Sequence, residues 1–298
     1  MFSDENKVET FKQHRGRLFG IAYRMLGTHA ESEDILQEAY IKWHAADDKK
    51  IENAEAWLVT IVTRLSIDRL RKASRMRETY IGPWLPEPLV ISDAPTPEEE
   101  LELASNLSLA FMVLLERLSP VERAAFLLHD VFDCAYADIA RIVGKTETAS
   151  RQLIHRARER VRSDKQRFET SEKEREKLIQ KFSIASKTGD EKTLFALFSD
   201  EIVSISDGGG KVTASRKIIR DKAKIAHAFS MFGKKYGKYF EQIPYSINGE
   251  TGLLTFVEGK LFAATTFEIE NGKISAVYRV MNPDKLKAFE NLQEENFV

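Results

Sequence analysis

The stretch from Leu118 to Val161 constrains the fold more than any other part of the chain. Ser119, Pro120 and Glu122 make a helix start, with Ser119 as N-cap, Pro120 at the first helical position and Glu122 placed to close a capping box. That helix runs through Ala124, Phe126, Leu127 and Leu128, and a short second helix, Tyr136 to Val143, is ended by Gly144. After the Gly144-Lys145-Thr146 turn, Leu153, Ile154, Ala157 and Val161 gather on one side of a helical period, and Thr148, Arg151, His155, Arg158 and Arg162 gather opposite. Two helices around a glycine turn, the last with one apolar and one cationic side, form a helix-turn-helix pattern whose polar face suits a major groove.

Charge supports the same reading once it is divided along the sequence. The whole chain carries only −1, but Arg141 to Arg162 holds seven Lys or Arg against Glu147 and Glu159. A second basic segment, Trp57 to Arg77, holds Arg64, Arg69, Arg71, Lys72, Arg75 and Arg77 against Asp68. Each segment balances at +5, so the rest of the chain carries −11, concentrated at Glu31, Glu33, Asp34 and Glu38 and at Glu98, Glu99, Glu100 and Glu102. The basic segments attract a phosphate backbone, and Thr148, Arg151, Gln152 and His155 can reach base edges, with Arg156, Arg158 and Arg162 beside them. A molecule so divided binds free DNA weakly and calls for a partner that covers its acidic part.

Composition sets the remaining bounds. A length of 298 residues predicts two or three domains, and a hydrophobic fraction of 43% supplies ordinary cores. The N-terminal residues show no signal-peptide pattern and no apolar run is long enough to span a bilayer, so the expected location is the cytoplasm, with no membrane partner. Cys134, the one cysteine, allows neither an internal disulfide nor a cysteine-rich zinc site.

Four stretches separate along the chain. Residues 1–78 form one module, helical from about 8 to 77: Phe11, Leu18, Phe19, Ala22 and Tyr23 share one face, as do Trp57, Leu58, Ile61, Val62 and Leu65. Between them Thr28 and Glu31 suggest another capping box, opening a helix that packs Ile35, Leu36, Ala39, Tyr40 and Trp43 inward and leaves Asp34, Gln37, Glu38 and Ile41 as an outer stripe. An exposed isoleucine among acids suggests docking. The loop from Asp47 to Asn53 is placed to receive an unstacked base. Residues 79–97 hold five of the eight prolines and read as a linker. Thr96-Pro97-Glu98-Glu99 then opens the helix-turn-helix domain, 98–165.

Residues 171–298 read as an α+β domain with a curved antiparallel sheet wrapped on helices. Helices are expected near 173–186, 192–198 and 218–232, and strands near 202–206, 239–247, 253–257, 261–269 and 274–281. Asp207-Gly208-Gly209-Gly210 is a sharp turn and Asn271-Gly272 a hairpin. Three glycines after Asp207 permit close approach to another surface, and the proline-rich linker is a plausible docking strip.

These residues resemble an extracytoplasmic-function sigma factor of the sigma-70 family. Tyr23-Arg24-Met25-Leu26-Gly27 followed by Ala30 to Glu38 is similar to the region 2 segment that docks on the β′ coiled coil of RNA polymerase core. Asn53, Trp57, Leu58, Arg64, Asp68, Arg69, Arg71 and Lys72 fall in the part that recognises and melts the −10 element. The helix-turn-helix is similar to region 4, which reads the −35 element and meets the β flap. Trp84-Leu85-Pro86-Glu87-Pro88, Asp207 to Lys211 and Asn282-Pro283-Asp284-Lys285-Leu286 are similar to motifs of the SigJ-like group, whose fused SnoaL-like domain has the NTF2-like cone fold. The resemblance implies promoter DNA and polymerase core as partners, and regulatory contacts from Trp84, Pro86, Asp207, Gly208, Gly209, Gly210, Lys211, Asn282 and Pro283. It also implies control by the fused domain with no separate anti-sigma protein required.

Two other readings remain at this level. Asp207, His227, Tyr245 and Glu268 are candidate acids and bases for an enzyme or sensor in the last domain, but no spacing joins them into a catalytic set. There is no metal-ligand cluster, phosphate loop or nucleophile elbow, so no catalytic residue, metal or cofactor is expected. An ordinary helix-turn-helix repressor would leave Tyr23 to Glu38 and Trp57 to Arg77 without a purpose.

Overall fold

The structure is a computed structural model that describes residues 4–47, 51–90, 107–162 and 171–289, except for the side chains of residues 4, 5 and 162. The helix start expected at Thr96-Pro97 and the loop residues 48–50 lie outside these. The described chain divides into two compact units. One holds the described residues to 78, residue 107 and residues 111–162; the other holds residues 79–90, 108–110 and 171–289.

The first unit begins with α1 (Asp4–Leu26), α2 (His29–Ala45) and α3 (Ala54–Arg77). Leu18, Ala22 and Tyr23 of α1, Ile35, Leu36, Ala39 and Trp43 of α2, and Leu58, Val62, Ile67 and Leu70 of α3 supply the apolar core, as their helical spacing requires. The Trp43 indole donates to the carbonyl of Lys7, whose ammonium in turn donates to the carbonyls of His44 and Ala46, closing the end of α2. The capping box expected at Thr28 is not formed: its hydroxyl donates to the Glu31 carboxylate at 2.9 Å and makes no side-chain bond to a backbone N–H.

Helix α4 (Leu109–Leu115) precedes the helix-turn-helix of α5 (Pro120–Asp130), α6 (Tyr136–Val143) and α7 (Glu147–Arg162). Here the capping box is complete, with Ser119 and Glu122 satisfying each other's backbone N–H groups. Left-handed Gly144 ends α6, and Ile154 and Ala157 bury one side of α7.

The second unit contains α8 (Glu172–Thr188), α9 (Glu191–Leu197), β1 (Phe198–Asp207), α10 (Lys222–Tyr236), β2 (Phe240–Ile247), β3 (Glu250–Val257), β4 (Lys260–Glu270) and β5 (Lys273–Val280). Three hairpins join β2 through β5. Their central pairs, Asn248-Gly249, Glu258-Gly259 and Asn271-Gly272, all have positive φ, the backbone that twists in step with the strands. Phe182 anchors the core between helices and sheet, 5.0 Å from the Phe229 ring and 4.9 Å from that of Phe267.

The sheet order is β1-β5-β4-β3-β2, and the expectation of an antiparallel sheet is corrected at one edge. β2 to β5 are antiparallel, but β1 pairs with β5 in parallel, with Val203 opposite Ala276 and Asp207 opposite Val280. Alternating hydrophobicity reveals which face a strand buries; it does not reveal which distant strand becomes its neighbour or in which direction that strand runs.

Candidate functional site

On α2, Asp34, Gln37, Glu38 and Ile41 all lie on the exposed side, with Ile41 60% exposed. Glu38 pairs with Lys42 at 3.5 Å and Asp34 with Arg69 at 3.6 Å, so the acids are held along the rim of the isoleucine and stay in water. The stripe read from spacing is therefore one continuous surface.

On α3, Asn53 is the N-cap, its side chain accepting from the N–H of Ala56 at 2.9 Å. Trp57 is half-buried, its ring 5.5 Å from that of Trp43. The cations that follow divide by role. Arg64 donates through Nε to the carbonyl of Ile142 at 3.0 Å and through its terminal nitrogen to that of Arg141 at 2.7 Å, so it closes the C-terminal end of α6. Arg77 donates to the carbonyl of Leu26 and pairs with Glu116. Arg71 pairs with Asp68 at 2.9 Å on the exposed side, and Lys72 and Arg75 are exposed. Asn53, Trp57 and Arg64 line a cleft of about 670 Å³ whose other wall includes Cys134, Asp138 and Ile142.

On α7, Thr148, Arg151, Gln152, His155 and Arg156 are exposed together. The Arg151 guanidinium sits 4.1 Å from the Tyr136 ring centre and pairs with Glu147 at 2.6 Å, which fixes its direction. Arg158 departs from the grouping expected of it: both oxygens of Asp130 accept from its Nε, at 3.0 and 2.9 Å, and this hydrogen bonding raises the guanidinium pKa. Arg158 thereby ties α7 to the end of α5. Arg160 similarly reaches Glu122 at 2.6 Å. The side chain of Arg162 lies outside the described residues.

In the second unit the linker and the C-terminal motifs meet at Asp207, which is fully buried. Its carboxylate accepts from the Tyr80 hydroxyl at 2.6 Å, the Leu85 N–H at 2.9 Å, the Gly209 N–H at 3.0 Å and the Lys285 ammonium at 2.7 Å. Lys285 also donates to the carbonyl of Leu85 at 2.5 Å and lies 4.2 Å from the Trp84 ring centre. Asn282 donates to the Tyr80 hydroxyl at 3.0 Å. Burial, followed by hydrogen bonding to Asp207, raises the Tyr80 pKa and keeps the phenol protonated.

The glycines explain how the linker comes so near. A Cβ on Gly209 would stand 2.3 Å from the Asn282 amide nitrogen and 3.0 Å from the Tyr80 hydroxyl, and one on Gly210 would stand 2.8 Å from Ile81. Lys211 pairs with Asp284 at 2.5 Å, beside Pro283 in the turn that Asn282 caps. Leu85, Pro86, Pro88 and Leu89 are buried, and Leu89 exchanges two 2.9 Å hydrogen bonds with Asn248. Sequence reasoning had Trp84, Pro86, Asp207 and the glycines as candidates, and the structure brings them together. It overlooked Tyr80 and Asn248 and the charge on Lys285; a tyrosine at the head of a proline-rich strip was the available signal for the first.

Comparison with known proteins agrees with this geometry. The model of Sigma-70 region 2 matches residues 10–76 and that of Sigma-70, region 4 matches residues 108–161. The ECF RNA polymerase sigma factor SigJ of Mycobacterium tuberculosis (strain ATCC 25618 / H37Rv) is 35% identical over 94% of this chain and 93% of its own. The probable ECF RNA polymerase sigma factor SigI of Mycobacterium tuberculosis (strain CDC 1551 / Oshkosh) is 26% identical over 93% of each chain. The crystal structure of Mycobacterium tuberculosis SigJ superposes with a TM-score of 0.76 at 32% identity, covering 94% of this chain and 98% of the other. The chain thus belongs to the extracytoplasmic-function sigma factors of the sigma-70 family.

Proposed function

We propose that this protein binds RNA polymerase core through Asp34, Gln37, Glu38 and Ile41 and directs it to a two-part promoter. The observation that carries this is the pairing, in one unit, of the exposed α2 stripe with the exposed reading face of α7. Asn53, Trp57, Asp68, Arg69, Arg71 and Lys72 serve the −10 element, and Thr148, Arg151, Gln152, His155 and Arg156 serve the −35 element. The chemistry of RNA synthesis stays in the polymerase. Core supplies the further DNA contacts that a chain of net charge −1 lacks.

The C-terminal unit acts on this activity by holding the segment that joins the two reading modules. Residues 80–89 are fixed along Asp207, Asn282, Lys285 and Asn248, which supports control without a separate anti-sigma protein. No helix among the described residues is long and apolar enough to cross a membrane.

Run-off transcription with purified bacterial core and selected promoter DNA tests both statements, comparing the full chain with one stopped after Thr170. Initiation that depends on the added protein is expected, with different yield or promoter choice from the two forms. Specific DNA binding without initiation or co-elution with core would replace this reading with that of a repressor.

A further inference from the structure

The helix-facing side of the C-terminal sheet carries a cation that its own domain does not neutralise. Arg279 on β5 stands directly opposite Thr265 on β4, which stands opposite Leu253 on β3. Leu253 and Val277, two residues before Arg279, belong to the core shared with α8, α9 and α10, so this row faces the helices. Among the described residues no carboxylate pairs with the Arg279 guanidinium. Instead its central carbon lies 5.1 Å from the Phe229 ring centre and 5.5 Å from that of Phe232. The side chain is half-buried, and burial pushes its pKa down to about 10.

An aromatic wall continues from this cation. Phe232 lies 5.3 Å from Phe240, 5.2 Å from Phe262 and 4.8 Å from Tyr236, ring centre to ring centre. Farther along the same sheet face, Gln242 donates to the Thr255 hydroxyl at 3.3 Å, while its carbonyl oxygen is buried with no hydrogen-bond partner. A half-buried guanidinium with no carboxylate partner and an orphaned amide oxygen beside packed rings leave two polar groups unmatched in a largely apolar setting. Ring faces attract a cation, but they supply neither the opposite charge nor the acceptors that a guanidinium requires. Apolar walls with a few convergent polar groups are the ordinary make-up of a small-molecule site.

We propose that the C-terminal domain binds a small organic acid, its carboxylate on Arg279 and its apolar body against Phe232, Phe240 and Phe262. The guanidinium fork matches a carboxylate in shape and charge, and the rings select an acid with a hydrophobic body over acetate. This concerns binding alone and stands whether or not the chain acts on polymerase as proposed above.

The test is NMR of the full chain, following the Arg279 Nε–H signal, assigned by its loss in Arg279→Lys, during titration with benzoate and hexanoate. The expected result is a saturable shift at millimolar acid or below, absent with benzamide and hexanamide. Arg279→Met, checked for folding by circular dichroism, should bind benzoate about tenfold to a hundredfold more weakly. No saturable shift with either acid, or an equal response to the amides, would overturn the proposal on the unmodified protein alone. So would undiminished benzoate binding by folded Arg279→Met.

Discussion

Asp207 accepts from four donors that belong to separate places in the sequence: Tyr80, Leu85, Gly209 and Lys285. A carboxylate so used cannot be replaced by an amide, which offers one accepting oxygen and no charge. Asp207→Asn leaves Lys285 buried without its partner and is expected to destabilise the docked linker by about 3–5 kcal/mol. Hydrogen exchange should then rise at the amides of residues 80–89 before it rises in the sheet. Glu122 makes a different prediction. Burial opposes its charge, but hydrogen bonds from the Ser119 hydroxyl and N–H, together with Arg160, hold its pKa below the usual carboxylate value. A depressed folded pKa means that this stabilisation is complete above an unfolded value of about 4.3 and lost as pH falls through the lower folded one. Glu122→Gln should therefore unfold about 1 kcal/mol more easily at neutral pH, and the difference from the parent should vanish in acid denaturation curves.

Between elements, Arg64 shows how a residue expected from its sequence position to meet DNA is used for packing. Its two bonds to the last carbonyls of α6 join α3 to the helix-turn-helix, and a phosphate can be reached only by giving them up. Arg64→Ala should raise hydrogen exchange in α6 by about tenfold, the equivalent of one to two ordinary hydrogen bonds. On α7 the split between stacked Arg151 and exposed Arg156 predicts two kinds of loss. In a promoter mutation scan Arg151→Ala should relax preference at one base pair, by about 1–3 kcal/mol, whereas Arg156→Ala should weaken all sequences alike and reduce the salt slope. Equal effects would contradict the assignment. Helix starts and faces were legible because capping and periodicity are local: the Ser119-Glu122 box forms as spacing predicts, and Ile154 and Ala157 are inside. The capture of Arg158 by Asp130 was not legible, since it depends on how α5 and α7 are set against each other.

For the molecule as a whole, composition and motif order disclosed the modules, and the Asp207 glycines and prolines disclosed that something must come close. What they met was settled by chain connectivity. The parallel placing of β1 beside β5 joins strands separated by a helix and three hairpins, and no window of local sequence records it. That pairing has a consequence in time. A ribosome finishes the helix-turn-helix first, yet β1 has no partner strand, and Asp207 no Lys285, until residues near 280 have emerged. At about 5–20 residues per second, synthesis of residues 163–285 takes roughly 6–25 seconds. Each newborn molecule thus passes through an interval in which the promoter-reading part is already made and the domain proposed to act on it is not.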